Sequence, residues 1–131
     1  MLPQTYLYRP RLDNPSSWLW IINFYEHVRA LSIEYEERYI PMLNLVRHLC
    51  STPIAHRYRA SQAQHDLIIA LKDRIALEDG DPVVLVYSDW KTDDFHIEFW
   101  RGAWADGLIE RRTVEGEKLA EAVVGMLTGV C

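Results

Sequence analysis

The chain has 131 residues, 49% hydrophobic and 25% charged, with a formal net charge of -5; these proportions fit one globular domain and exclude intrinsic disorder on composition. The acidic balance opposes general attraction to nucleic acid or anionic membrane, and two cysteines, Cys50 and Cys131, are too few for a disulfide framework. No basic start precedes a long apolar core, and the longest purely apolar run near the N-terminus is Trp18 to Ile22, so neither signal peptide nor membrane span is expected and a reducing cytoplasm is the default compartment.

Thr5 to Tyr8 is a short aromatic segment between Pro3 and Pro10, which fits a brief strand. Asn14-Pro15 signals a helix start, because Asn can accept from unpaired first-turn amides and Pro suits the first helical position. Trp18, Ile21, Ile22, Tyr25 and Val28 recur at helical spacing, predicting a helix to about Leu31, or further if Tyr35 and Tyr39 prolong the stripe. Pro41 would interrupt a helix interior but begins one comfortably, so a second helix is placed from Pro41, with Met42, Leu45, Val46, Leu49 and Cys50 inward, ending at Ser51-Thr52-Pro53. Ser61 and Gln64 match a capping box, and Leu67, Ile68, Leu71 and Ile75 supply a stripe for a third helix.

Beyond residue 78 the period changes. Val83 to Tyr87 is a continuous β-branched and aromatic run, typical of a strand covered on both faces. Phe95 to Ala105 and Leu108 to Val114 flank Asp106-Gly107, a strong hairpin signal because the favoured turn needs positive φ at both central residues. A last helix runs from about Glu115 to Leu127 with Leu119, Val123, Met126 and Leu127 inward. The expected architecture is therefore a single α+β domain over residues 1–131: three N-terminal helices, an antiparallel three-stranded meander, and a C-terminal helix packed on the sheet. In that meander Val83 to Tyr87 forms an exposed apolar edge. Either Thr5 to Tyr8 covers it as a fourth strand, or a second copy of the chain does.

Three groups of residues carry candidate chemistry. Asp94, His96, Glu98 and Trp100 alternate with Phe95, Ile97 and Phe99, so on a strand two carboxylates and an imidazole share one face and suit a transition metal or acid/base catalysis. A tight Asp106-Gly107 turn would set Trp104 opposite Ile109, Gly102 opposite Arg111 and Trp100 opposite Thr113. Trp100 and Trp104 would then join His96, with Trp90 nearby, as a contact surface of the kind enriched at protein interfaces; a bulge at Gly102 would move Trp104 to the other face. Arg57, Arg59 and Ser61 precede the predicted third helix, where arginines oppose the helix dipole unless an anion is bound. Cys50 with His48 or His56 makes a poor nucleophile pair, since Cys50 sits on an apolar stripe. The order of three helices and a hairpin resembles a winged helix-turn-helix in sequence of elements only, and the acidic Asp106-Gly107 tip is wrong for a wing that contacts phosphate.

The functional expectation is a non-enzymatic protein-binding or adaptor domain, homodimeric or part of a complex, that contacts partners through Trp90, Trp100 and Trp104. The alternatives are a small metal-dependent or acid/base enzyme using Asp94, His96 and Glu98, and an anion-binding site at Arg57, Arg59 and Ser61. No motif identifies a cofactor, and nucleic acid is disfavoured as a partner.

Overall fold

A computed structural model describes residues 13–70, 82–101 and 107–130; the candidate strand at residues 5–8, Trp104 and the Asp106 side of the turn lie outside them. Helix α1 spans Asn14–Arg29, its N-terminus closed by the Asp13 carboxylate, which accepts the Ser16 amide at 2.8 Å. The cap is thus one residue earlier than expected, which frees Asn14 to donate from Nδ2 to the carbonyl of His56 at 3.0 Å. Helix α2 spans Ile33–Cys50, and Ser32 caps it by accepting the Tyr35 amide at 3.1 Å. Glu34 and Glu36 in its first turn suit the positive end of the helix dipole.

Pro41 lies inside α2 instead of starting a helix. Its missing N–H leaves the carbonyl four residues back without a helical donor. A Cβ on Gly116 would come within 2.8 Å of Pro41 Cγ and 3.3 Å of the Phe95 ring; the proline ring occupies the space that a side chain at position 116 would need.

The predicted third helix does not form over Ser61 to Ala70, while Leu71 and Ile75 lie outside the described residues. A single helical turn, α3 (Ile54–Arg57), leads into strands β1 (Arg59–Ala63) and β2 (Asp66–Ala70). These form a hairpin through Gln64 and His65, with Gln64 at φ 56°. Leu67-Ile68-Ile69-Ala70 is buried at every position, so the residues that match a helical stripe are part of a run covered on both faces, where helix and strand periods cannot be told apart. β3 (Pro82–Ser88), β4 (Asp94–Arg101) and β5 (Leu108–Glu115) follow, then a 3₁₀ turn (Gly116–Lys118) and α4 (Leu119–Val130).

Among the described residues the sheet is a five-stranded antiparallel meander in the order β1-β2-β3-β4-β5, two strands more than expected. β3 is therefore interior: β2 covers its edge, with Ile68 opposite Leu85 and Ile69 opposite Val84, so the edge that called for residues 5–8 or a second copy is filled from within the chain. At the sheet margin α1 lies against β1, where the Ala60 amide donates to Ser17 Oγ at 2.9 Å and Trp18 Nε1 donates to the Tyr58 carbonyl at 3.0 Å. β5, at the opposite margin, carries Glu110, Arg111, Arg112 and Glu115, charges that discourage edge pairing.

One face of the sheet (Leu67, Ile69, Val84, Val86, Phe95, Ile97 and Phe99) packs with Trp18, Ile21 and Tyr25 of α1, Met42, Leu45 and Leu49 of α2, and all four residues expected inward on the last helix. On the opposite face Ala63, Ile68, Ala70, Val83 and Leu85 form a second apolar cluster bordered by Tyr87 and Trp100. No helix among the described residues is long and apolar enough to cross a membrane.

The β4–β5 register differs from that of a two-residue turn. Trp100 faces Leu108, Glu98 faces Arg111 and His96 faces Thr113, with an irregularity at Phe99/Trp100; Gly102, where a bulge was considered, lies outside the described residues. The shift sets opposite charges, Glu98 and Arg111, directly across from one another, a favourable cross-strand pair.

Candidate functional site

The sheet face turned away from the helices is centred on Glu98, only 3% exposed. Tyr87 Oη donates to Oε2 at 2.6 Å, Trp100 Nε1 to Oε1 at 2.9 Å, and Arg111 Nε to Oε2 at 2.7 Å, with Arg111 Nη2 on the same oxygen. Burial alone would push the Glu98 carboxyl up, but hydrogen bonds from Tyr87, Arg111 and Trp100 outweigh it and hold the group below its usual value. Burial and this carboxylate push the Tyr87 phenol up to about 12. Glu98 is a saturated, ionised acceptor, so it is poorly suited to proton transfer.

His96 shares that face but has separate partners: Nδ1 is 2.9 Å from Thr113 Oγ1 and Nε2 is 3.0 Å from Asp89 Oδ2. Asp94 begins the strand opposite Glu115. Strand alternation thus puts Asp94, His96 and Glu98 on one side, as expected, yet the His96 and Glu98 side chains are committed to different neighbours. Among the described residues no group of three or more His, Cys, Asp or Glu side chains is placed to hold a metal ion.

Trp90 is held in the β3–β4 turn by residues from two directions. From α2, Arg38 Nη1 donates to Ser88 Oγ (2.9 Å), the Asp89 carbonyl (2.9 Å) and the Thr92 carbonyl (3.1 Å). The same guanidinium lies 4.3 Å from the centroid of the Trp90 ring. From β4, His96 holds the Asp89 carboxylate, whose other oxygen accepts the Lys91 amide at 2.9 Å. The indole meets Tyr35 and Tyr39 edge-on at 5.4 and 6.1 Å, and remains 47% exposed.

From Trp90 the rings continue as a ridge. Tyr35 and Tyr39 pack edge-on to His65 at 5.5 and 5.6 Å, Phe24 lies 6.3 Å from His65, and Trp20 stacks on Phe24 at 5.8 Å. The hairpin turn that carries His65 is anchored by Tyr25, whose hydroxyl donates to the His65 carbonyl at 2.9 Å. Burial and then the charge of Asp66 push Tyr39 up to about 12, opposed in part by a hydrogen bond from Trp90. Asp66 is itself pushed up to about 6 by burial, with Glu98 adding to the effect.

Beside this ridge, a cleft of about 360 Å³ is lined by Glu34, Glu37, Arg38, Pro41, Asp93, Phe95 and Gly116. The remaining predicted residues do not assemble with it. Arg57 is exposed at the end of α3, and Arg59 and Ser61 are each 1% exposed on β1. No helix begins at Ser61, so the unpaired helix amides invoked for an anion there do not exist. Cys50 closes α2 half-buried, consistent with packing. Of the three expected contact tryptophans, Trp90 is exposed on the ridge, Trp100 belongs to the Glu98 network, and Trp104 is outside the described residues. The sequence reading missed Arg38, Asp89 and Arg111; the only available hint was a lone basic residue within Glu34-Tyr-Glu-Glu-Arg-Tyr39, ahead of the aromatic turn.

Comparison of this chain with protein-family models, curated proteins and solved structures finds no match.

Proposed function

We propose that this chain is a non-enzymatic protein-binding domain that docks its partner on Trp90 and the aromatic ridge behind it. The observation that carries this reading is a tryptophan half-exposed yet immobilised by Arg38, Tyr35 and Tyr39. A preordered indole loses little conformational freedom on binding and offers a large apolar contact, the usual character of an interface hot spot. The interior position of β3 removes the edge-pairing argument for a homodimer, so the reading favours a different protein as partner. Trp90→Ala should weaken a partner purified with the chain by about 30-fold or more, in line with a hot-spot loss of roughly 2 kcal/mol, while leaving circular dichroism unchanged. A partner that binds Trp90→Ala as tightly as the parent chain would overturn it.

The acid/base alternative retains one favouring observation, the chain of contacts Asp89, His96 and Thr113, which links a carboxylate through an imidazole to a hydroxyl. Turnover of an activated ester, lost in His96→Ala, is its test.

A further inference from the structure

The cleft beside Trp90 bears on the partner's chemistry, a step that rests on the protein-binding reading of that residue. Its floor is apolar: the Pro41 ring, the Phe95 ring and the bare backbone of Gly116. Its walls are acidic and come from two elements, Glu34 and Glu37 from α2 and Asp93 from the β3–β4 turn. Three carboxylates face one guanidinium.

That guanidinium is already engaged. Arg38 directs Nη1 at three oxygens of the turn and Nη2 toward Asp93 at 3.9 Å, and stacks against Trp90. Among the described residues it makes no ion pair with Glu34 or Glu37, and Lys91, on the same turn, does not line the cleft. The placement of Glu34 suits the helix dipole without any ligand, and Asp93, fully in solvent, is paired with Arg38; Glu37 lines the cleft with no counter-charge among the described residues.

We infer that this cleft receives a lysine or arginine side chain from the partner segment that covers Trp90, so that the partner presents a basic surface. A long cationic side chain matches both parts of the cleft: its methylene stem lies on Pro41 and Phe95, and its charged head meets the acidic rim to which Glu34, Glu37 and Asp93 contribute. The volume, about 360 Å³, sits at the small end of ligand sites, roughly 300–1,000 Å³. A bare divalent cation fits less well, because no described group of three carboxylate, imidazole or thiolate residues converges on one point. The net charge of -5 would speed encounter with a basic partner.

The test is a nuclear magnetic resonance titration of the full chain, ¹⁵N-labelled, with the blocked peptide acetyl-Lys-Lys-Lys-Lys-amide, against acetyl-Glu-Glu-Glu-Glu-amide and Mg²⁺. The lysine peptide should give saturable shifts at the Gly116 amide and the Trp90 indole N–H. Its affinity should fall at least tenfold in Glu37→Gln/Asp93→Asn and stay within about twofold in the charge-matched control Glu110→Gln/Glu121→Gln. Absent or non-saturating shifts, equal losses in the two variants, or a stronger response to Mg²⁺ would each overturn the inference. A partner whose binding depends on Trp90 but is indifferent to Glu37→Gln/Asp93→Asn would leave the docking reading standing and remove the cationic side chain; insensitivity to Trp90→Ala would instead remove the docking reading, with the peptide titration still reporting on the cleft.

Discussion

The two faces of the sheet solve different problems. On the helix side, specificity comes mainly from shape: Trp18, Ile21, Met42, Leu45 and Val123 are fully buried against Leu67, Val86 and Ile97, and the buried Trp18 Nε1 donates to the Tyr58 carbonyl. On the other side a single carboxylate organises three elements, because Glu98 is reached at once from β3, β4 and β5. Apolar contacts tolerate a strand slipping by two residues better than a charged pair does. The first face thus contributes most of the stability, and the second fixes the register that places the Asp89–Asp93 turn.

Breaking the first face should have the largest effect. Trp18→Ala removes a fully buried indole and its hydrogen bond to the Tyr58 carbonyl, and should cost about 4 kcal/mol in denaturant unfolding. Arg111→Met, on the second face, should cost about 2 kcal/mol at pH 7 by leaving the Glu98 carboxylate under-paired in the fold. The carboxyl of Glu98 titrates below its usual value in the folded chain, so the stabilisation it gives is present above the unfolded value and is lost as pH falls through the folded one. The deficit of Arg111→Met should therefore shrink towards pH 3.

The smallest of the three effects has the opposite sign. Asp66 is raised to about 6 in the fold, so the stability contributed by its protonated form is complete below the unfolded value, near about 3.9, and is lost as pH rises through about 6. Asp66→Asn should stabilise the chain by about 1–2 kcal/mol at pH 7.5 and by close to nothing at pH 4. Unfolding curves at the two pH values separate this from a pH-independent packing gain.

Much of the second half was legible in the sequence because its elements are half-buried and alternate. Phe95, Ile97 and Phe99 go one way and His96, Glu98 and Trp100 the other; Leu119, Val123, Met126 and Leu127 follow a helical stripe that meets the core. The β1–β2 hairpin was not legible, since a strand buried on both faces has no alternation to read and Ser61-Gln64 imitates a helix cap. Pro41 misled for a related reason: its local cost is visible in the sequence, while Gly116, which makes room for its ring, is 75 residues away. The candidate site was legible only at Trp90. Arg38 and Asp89 act across long sequence separations, and nothing in their neighbours announces that Arg38 will close over the turn.

The Pro41 and Gly116 contact has a consequence for sequence change. The two positions are a single unit in substitution: any side chain at 116 must displace a ring that the helix cannot move, whereas Pro41→Ala would clear part of that space and restore a backbone donor to α2. A replacement tolerated at one of these positions is therefore conditional on the other, so Gly116→Ala in the parent chain should be harmful and the same change beside Pro41→Ala largely forgiven.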